Sequence, residues 1–77
     1  MAQTFLDKQY LNQDFRLDPL TKGEYDQCVF IGCTFSGSDL SGIQFAECTF
    51  NECDLSTSKI SQSAFREVRF KGCKLLG

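Results

Sequence analysis

Large apolar side chains recur along this chain at every fifth position, a spacing that fits neither the alternation of a half-buried strand nor the 3.6-residue turn of an amphipathic helix. All eight Phe and both Tyr share one register: Phe5, Tyr10, Phe15, Tyr25, Phe30, Phe35, Phe45, Phe50, Phe65 and Phe70. Leu20, Leu40, Leu55, Ile60 and Leu75 fill its remaining slots. Ten aromatics dropped at random would share one register of five about once in two million arrangements, so the spacing is a constraint on the fold and not an accident of composition.

From Tyr25 onward a second position joins the pattern, two residues before each large one. It holds Gly23, Cys28, Cys33, Ser38, Ile43, Cys48, Cys53, Ser58, Ser63, Val68 and Cys73, most of them small. In an extended chain, residues two apart point to the same side and the residue between them points away. Each pentad therefore reads as small, outward, large, followed by two positions that tolerate a bend. Gly32, Gly37, Gly42 and Gly72 occupy the second of these, and Ser36, Ser41, Ser56 and Ser61 the first, residue types that favour tight turns.

A longer period of twenty residues aligns Tyr25 with Phe45 and Phe65, Phe30 with Phe50 and Phe70, and Cys33 with Cys53 and Cys73. Four pentads per repeat predict a four-sided coil whose successive turns stack as parallel strands, ~4.8 Å apart. The predicted fold class is all-β, a quadrilateral parallel β-helix. Residues 23–77 form its coils, open at the C-terminal end, and residues 1–22 a degenerate first coil or cap. In that first segment Phe5, Tyr10, Phe15 and Leu20 keep the large-residue register, but the companions are Gln3, Lys8, Gln13 and Asp18. These are costly to bury without partners, and terminal repeats are generally atypical.

The triplets CVF, CTF, SDL, CTF, CDL, SKI, SAF, VRF and CKL match the small, polar, Leu-or-Phe pattern of the pentapeptide-repeat family, which the chain resembles over residues 23–77. The resemblance implies a right-handed quadrilateral β-helix, a pentapeptide-repeat solenoid. Within the family, TKGEYDQCVFIGCTFSGSDLSG is similar to the amino-terminal coils of quinolone-resistance proteins that bind DNA gyrase and topoisomerase IV. Those relatives place their functional residues in loops that this sequence does not have, so no residue role is carried over from them.

Composition narrows the chemistry. The five cysteines, an odd count, all take the small inward position and are predicted to be reduced, buried and structural. Their spacing of five or twenty residues, with no His, does not suit a zinc site. No base is placed to activate a serine, so the chain is expected to be neither an enzyme nor a cofactor or metal binder. No secretory signal or apolar membrane span is visible, and the cytoplasm is the expected compartment.

Charge is the informative surface feature. Glu24, Asp26, Asp39, Glu47, Glu52 and Asp54 lie in a stretch from Glu24 to Ser58 that has no Lys or Arg. The stretch from Lys59 to Gly77 has Lys59, Arg66, Arg69, Lys71 and Lys74 against Glu67 alone. These six acids are the candidate interaction surface. The expected function is a non-catalytic structural or protein-interaction module that presents a rigid charged β-helix. The alternative is a DNA mimic that binds DNA gyrase or topoisomerase IV and protects against quinolones. The expected partner is a protein, such as a type II topoisomerase, with no direct nucleic-acid or membrane contact. The open end of the last coil implies either a longer solenoid or a homodimer through that end.

Overall fold

The computed structural model of the chain describes residues 3–75, with no helix among the described residues. Met1, Ala2, Leu76 and Gly77, the outermost residues of the two predicted segments, lie outside them. Eight short strands follow in order: β1 (Gln3–Leu6), β2 (Gln9–Leu11), β3 (Gly23–Asp26), β4 (Val29–Ile31), β5 (Gln44–Ala46), β6 (Thr49–Asn51), β7 (Ala64–Arg66) and β8 (Arg69–Lys71).

Strands β1, β3, β5 and β7 stack in that order as face one, and β2, β4, β6 and β8 as face two. Pairing is parallel with partners twenty residues apart, as in Tyr25↔Phe45 and Phe30↔Phe50. Single bridges hold the other two sides: Asp14↔Thr34↔Asp54↔Lys74 make face three and Asp39↔Lys59 face four. The predicted quadrilateral parallel β-helix is thus the fold, with extents of 29 × 22 × 20 Å.

Pentads close into a coil because the backbone reverses hand at each corner. The residue two after each large one has φ between 51° and 79° at Asp7, Asn12 and every fifth position from Gln27 to Gly72. The sequence marks this position only where it is glycine. Elsewhere Gln27, Glu47, Glu52, Thr57, Gln62 and Glu67 hold the same left-handed conformation, which costs an ordinary L-residue about 1–2 kcal/mol. Corner amides then bond to the next coil, as Glu47 N–H does to the Arg66 carbonyl at 2.8 Å and Glu52 N–H to the Lys71 carbonyl at 2.7 Å.

The interior is a set of columns. On face two the rings of Tyr10, Phe30, Phe50 and Phe70 lie face to face, with centroids 4.8, 4.8 and 5.2 Å apart. On face one Phe5, Tyr25, Phe45 and Phe65 do the same at 4.6, 5.6 and 5.2 Å. Adjacent columns meet edge to face, as Phe45 meets Phe50 at 5.2 Å, so both preferred aromatic geometries are used at once. Phe15, Phe35 and Leu55 fill face three, with the two rings stacked at 4.8 Å, and Leu20 and Leu40 fill face four. Toward the carboxyl end the same register is open: Ile60 in the third coil and Phe70 and Leu75 in the fourth are exposed.

The first coil pairs in register with the second through β1 and β2, while its companions Gln3, Lys8, Gln13 and Asp18 stay exposed. Leu17 and Lys22 are absent from the left-handed corners. Gly23 lets this coil sit close: a Cβ there would lie 2.5 Å from the Gln3 carbonyl oxygen. On the next corner the Lys22 ammonium donates to the carbonyls of Asp39 and Ser41, clamping coil one to coil two.

Phe50 is fully buried and in ring contact with Phe30, Phe35, Phe45 and Phe70. Phe50→Ala is expected to destabilise the chain by ~3–5 kcal/mol, read from urea unfolding. An unchanged unfolding midpoint would remove the column as the source of stability.

Candidate functional site

Grouping residues by their place around the coil, and not along the chain, separates the six candidate acids. Glu24 projects from β3 on face one and accepts a hydrogen bond from the Thr4 hydroxyl at 3.5 Å. Asp26 ends the same strand, next to the corner between faces one and two. Glu47 lies on that corner one coil further on. Asp26 and Glu47 adjoin this edge, and Glu24 lies beside it on face one, two residues before Asp26. Glu52 stands on the corner between faces two and three, Asp54 on face three and Asp39 on face four, so these three are dispersed.

The edge gathers two acids outside the acidic stretch of the sequence. Asp7, Gln27, Glu47 and Glu67 occupy the same corner in successive coils, linked by bonds from the Asp7, Gln27 and Glu47 amides to the carbonyls of Asp26, Ala46 and Arg66. Sequence reasoning passed over Asp7 and Glu67 because it divided charge by position along the chain. The signal that finds them is their number: 7, 27, 47 and 67 differ by the twenty-residue coil.

The two sets of acids differ in what holds them. Asp39 is 4.0 Å from the Lys22 ammonium, and its backbone pairs with that of Lys59 one coil on. Asp54 faces Lys74 and accepts from the Ser56 amide at 3.0 Å and its hydroxyl at 2.6 Å. Asp14 is bonded by the Arg16 amide and held bidentately by its guanidinium at 2.9 and 2.8 Å. Each such Asp bonds the amide two residues on, a local turn that stands in for strand on faces three and four. By contrast, no cation lies within 4.0 Å of Asp7, Glu24, Asp26, Glu47 or Glu67 among the described residues. The Asp26 Oδ1 atom is shielded from solvent and has no hydrogen-bond partner, an unsatisfied acceptor of a kind folded proteins rarely leave. A shallow open cavity of about 620 Å³ lies along the edge, lined by Glu47, Cys48, Thr49, Glu67, Val68 and Arg69.

All five cysteines are free, with Cys28, Cys33, Cys48 and Cys53 buried. They do more than fill a small slot. Each thiol donates to the carbonyl of the large inward residue one coil below, as Cys48 does to Tyr25 and Cys53 to Phe30, both at 3.2 Å. Ser63 repeats the bond to Leu40 with its hydroxyl. Burial pushes the Cys48 and Cys53 thiols up to about 11, which keeps them protonated as this donation requires and makes them poor nucleophiles. Among the described residues no three Cys, Asp or Glu side chains gather as a metal site. No helix among them is long and apolar enough to cross a membrane.

The arrangement defines a class: a parallel β-solenoid whose interior is committed to packing and whose distinctive chemistry is an unpaired acidic edge. The sequence model of the pentapeptide repeat region matches residues 24–77, and the chain belongs to the pentapeptide-repeat family. No curated protein matches the chain in sequence. Two solved structures of QnrB1, a plasmid-mediated fluoroquinolone resistance protein, are similar in fold. One trypsin-treated variant superposes with a TM-score of 0.54 at 20% identity over 92% of this chain and 49% of that one. Another gives 0.52 at 23% identity over 90% and 48%. The chain therefore spans about half the length of these solved chains.

The turn aspartates carry a pH signature. The Arg16 side chain and then its amide hold Asp14 down to about 2, against an ordinary value of 3.8. Hydrogen bonds from Ser41 and Ser56 likewise lower Asp39 and Asp54. A carboxyl depressed in the folded state stabilises the fold above its unfolded value and loses that contribution as pH falls through the folded one. Stability is thus expected to decline below about pH 4 and down toward pH 2. In carboxyl NMR titrations, Ser56→Ala should return Asp54 toward the ordinary value and leave Asp39 unmoved. Parallel shifts at both would refute the local assignment.

Proposed function

We propose that this protein is a non-catalytic interaction module whose acidic edge, Glu24, Asp26 and Glu47 with Asp7 and Glu67, docks a basic surface of a partner protein. The carrying observation is that no cation lies within 4.0 Å of these acids among the described residues, whereas Asp14 and Asp39 are paired within the fold. An intramolecular pair at an exposed site contributes only ~0–1 kcal/mol, so leaving the edge unpaired costs little. Rigid carboxylates at coil spacing gain on-rate and specificity when a complementary surface arrives.

Carboxyl-to-lysine crosslinking in cells that express the chain tests this. Crosslinks are expected to concentrate on Glu24, Asp26 and Glu47 and on one lysine-rich partner surface. They should fall at least tenfold in the Glu24→Gln/Asp26→Asn/Glu47→Gln variant and persist in Asp39→Asn/Asp54→Asn. Equal loss in both variants would refute the edge.

A second and sharper reading, a DNA mimic that engages a type II topoisomerase, is favoured by the fold shared with QnrB1 and by the regular rise of the acidic corner, ~4.8 Å per coil. Under it, the chain relieves quinolone inhibition of DNA gyrase in a supercoiling assay, and neutralising the edge abolishes the relief. Absence of relief at tens of micromolar would exclude this reading and leave the first untouched.

A further inference from the structure

The acidic edge is one margin of face two, and that face has an order of its own. Its outward positions run Gln9 and Leu11, then Val29 and Ile31, then Thr49 and Asn51, then Arg69 and Lys71, two per coil. Leu11 is half exposed and Val29 and Ile31 partly so, giving an apolar floor at the amino-terminal end and two cations at the other. One margin is acidic, with Asp7, Glu47 and Glu67 on its corner, and the other carries Glu52 between Gly32 and Gly72. The open cavity of about 620 Å³ lies where the first margin meets the face.

We propose that face two docks a basic amphipathic α-helix of a partner protein, lying along the solenoid axis with its apolar stripe on Leu11, Val29 and Ile31. This rests on the acidic edge being an interaction surface and specifies what it receives. The backbone supports a helix over a strand. Along the flank of the solenoid the N–H and C=O groups of β2, β4, β6 and β8 are spent on one another, so an added strand would find no free donors there, whereas a helix brings its own backbone already bonded.

Dimensions agree. A strand of three residues gives a face ~10 Å wide, about one helix diameter. The three coil steps from Leu11 to Lys71 rise ~14 Å, or about ten helical residues. Glu47 and Glu67, one coil apart at ~4.8 Å, match cations three residues apart on a helix, ~4.5 Å along its axis. Arg69 and Lys71 then suit the carboxyl end of the helix, where the dipole is negative.

The test is an amide NMR titration of the full chain with a synthetic 16-residue peptide that carries Leu at helical spacing flanked by Lys, beside a scrambled peptide of equal charge. Saturable shifts are expected at Leu11, Val29, Ile31, Glu47, Thr49 and Glu67. Affinity should drop at least tenfold for the scrambled peptide and for Leu11→Ser/Ile31→Ser, whose side chains point outward from the core. Asp39→Asn/Asp54→Asn should bind as the parent does. Equal binding of the two peptides, shifts spread over all four faces, or no saturable binding at millimolar peptide would overturn the proposal. If Glu47→Gln/Glu67→Gln weakens the crosslinks above while Leu11→Ser/Ile31→Ser changes nothing, the acidic edge stands and the helix falls.

Discussion

A left-handed backbone residue at every fifth position from Gln27 to Gly72 is the constraint on which the remainder depends. It turns the chain at the end of each short extended stretch, so that residues twenty apart fall one above another. Once that register exists, the ring columns follow, because the coil rise suits stacked aromatics: centroids of 4.8 Å for Phe30 on Phe50 leave neither a gap nor a clash. The corner pays its cost in local strain at Glu47, Glu52, Thr57 and Glu67. What offsets the strain is cooperative, since the corner amides from Gln27 to Glu52 also bond to carbonyls of the next coil. A solenoid of this kind is stabilised between neighbours more than within a repeat.

The same constraint decides how much could be read before the structure. Phe and Tyr in a single register gave away the pentad, and the alignment of Cys33, Cys53 and Cys73 gave away the coil, because interior positions admit few residue types. The corner was read only half correctly. Gly32, Gly37, Gly42 and Gly72 pointed to it, but Glu, Gln and Thr take the identical conformation elsewhere. A surface position with a polar side chain leaves no compositional trace of its backbone. The thiol donors were hidden in a similar way: a buried Cys reads as a small apolar residue until the carbonyl of the coil beneath is placed opposite it.

The position of each acid around the coil was less legible than its charge. Asp26 and Glu47 adjoin one edge with Glu24 beside it on face one, whereas Asp39 and Asp54 belong to the turn chemistry of faces four and three, each accepting from the amide two residues on. Their sequence context says as much in retrospect, since the DFR and DLS triplets at Asp14, Asp39 and Asp54 repeat one local motif. Asp7 and Glu67 lie sixty residues apart in the chain yet share a corner. Charge on a solenoid has meaning only after it is folded modulo the coil.

This geometry also separates stability from recognition on the same scaffold. Interior columns and corner bonds fix the backbone of every coil, so an outward side chain can change without moving its neighbours. The acids that the fold uses are bonded within it, and their carboxyl groups titrate low for that reason. The acids on the first corner carry no such obligation. Under the proposed docking, charges free of structural duty would keep their desolvation and pairing energy for the partner, and the parallel rise of the coils holds them at a spacing that a flexible loop could not maintain.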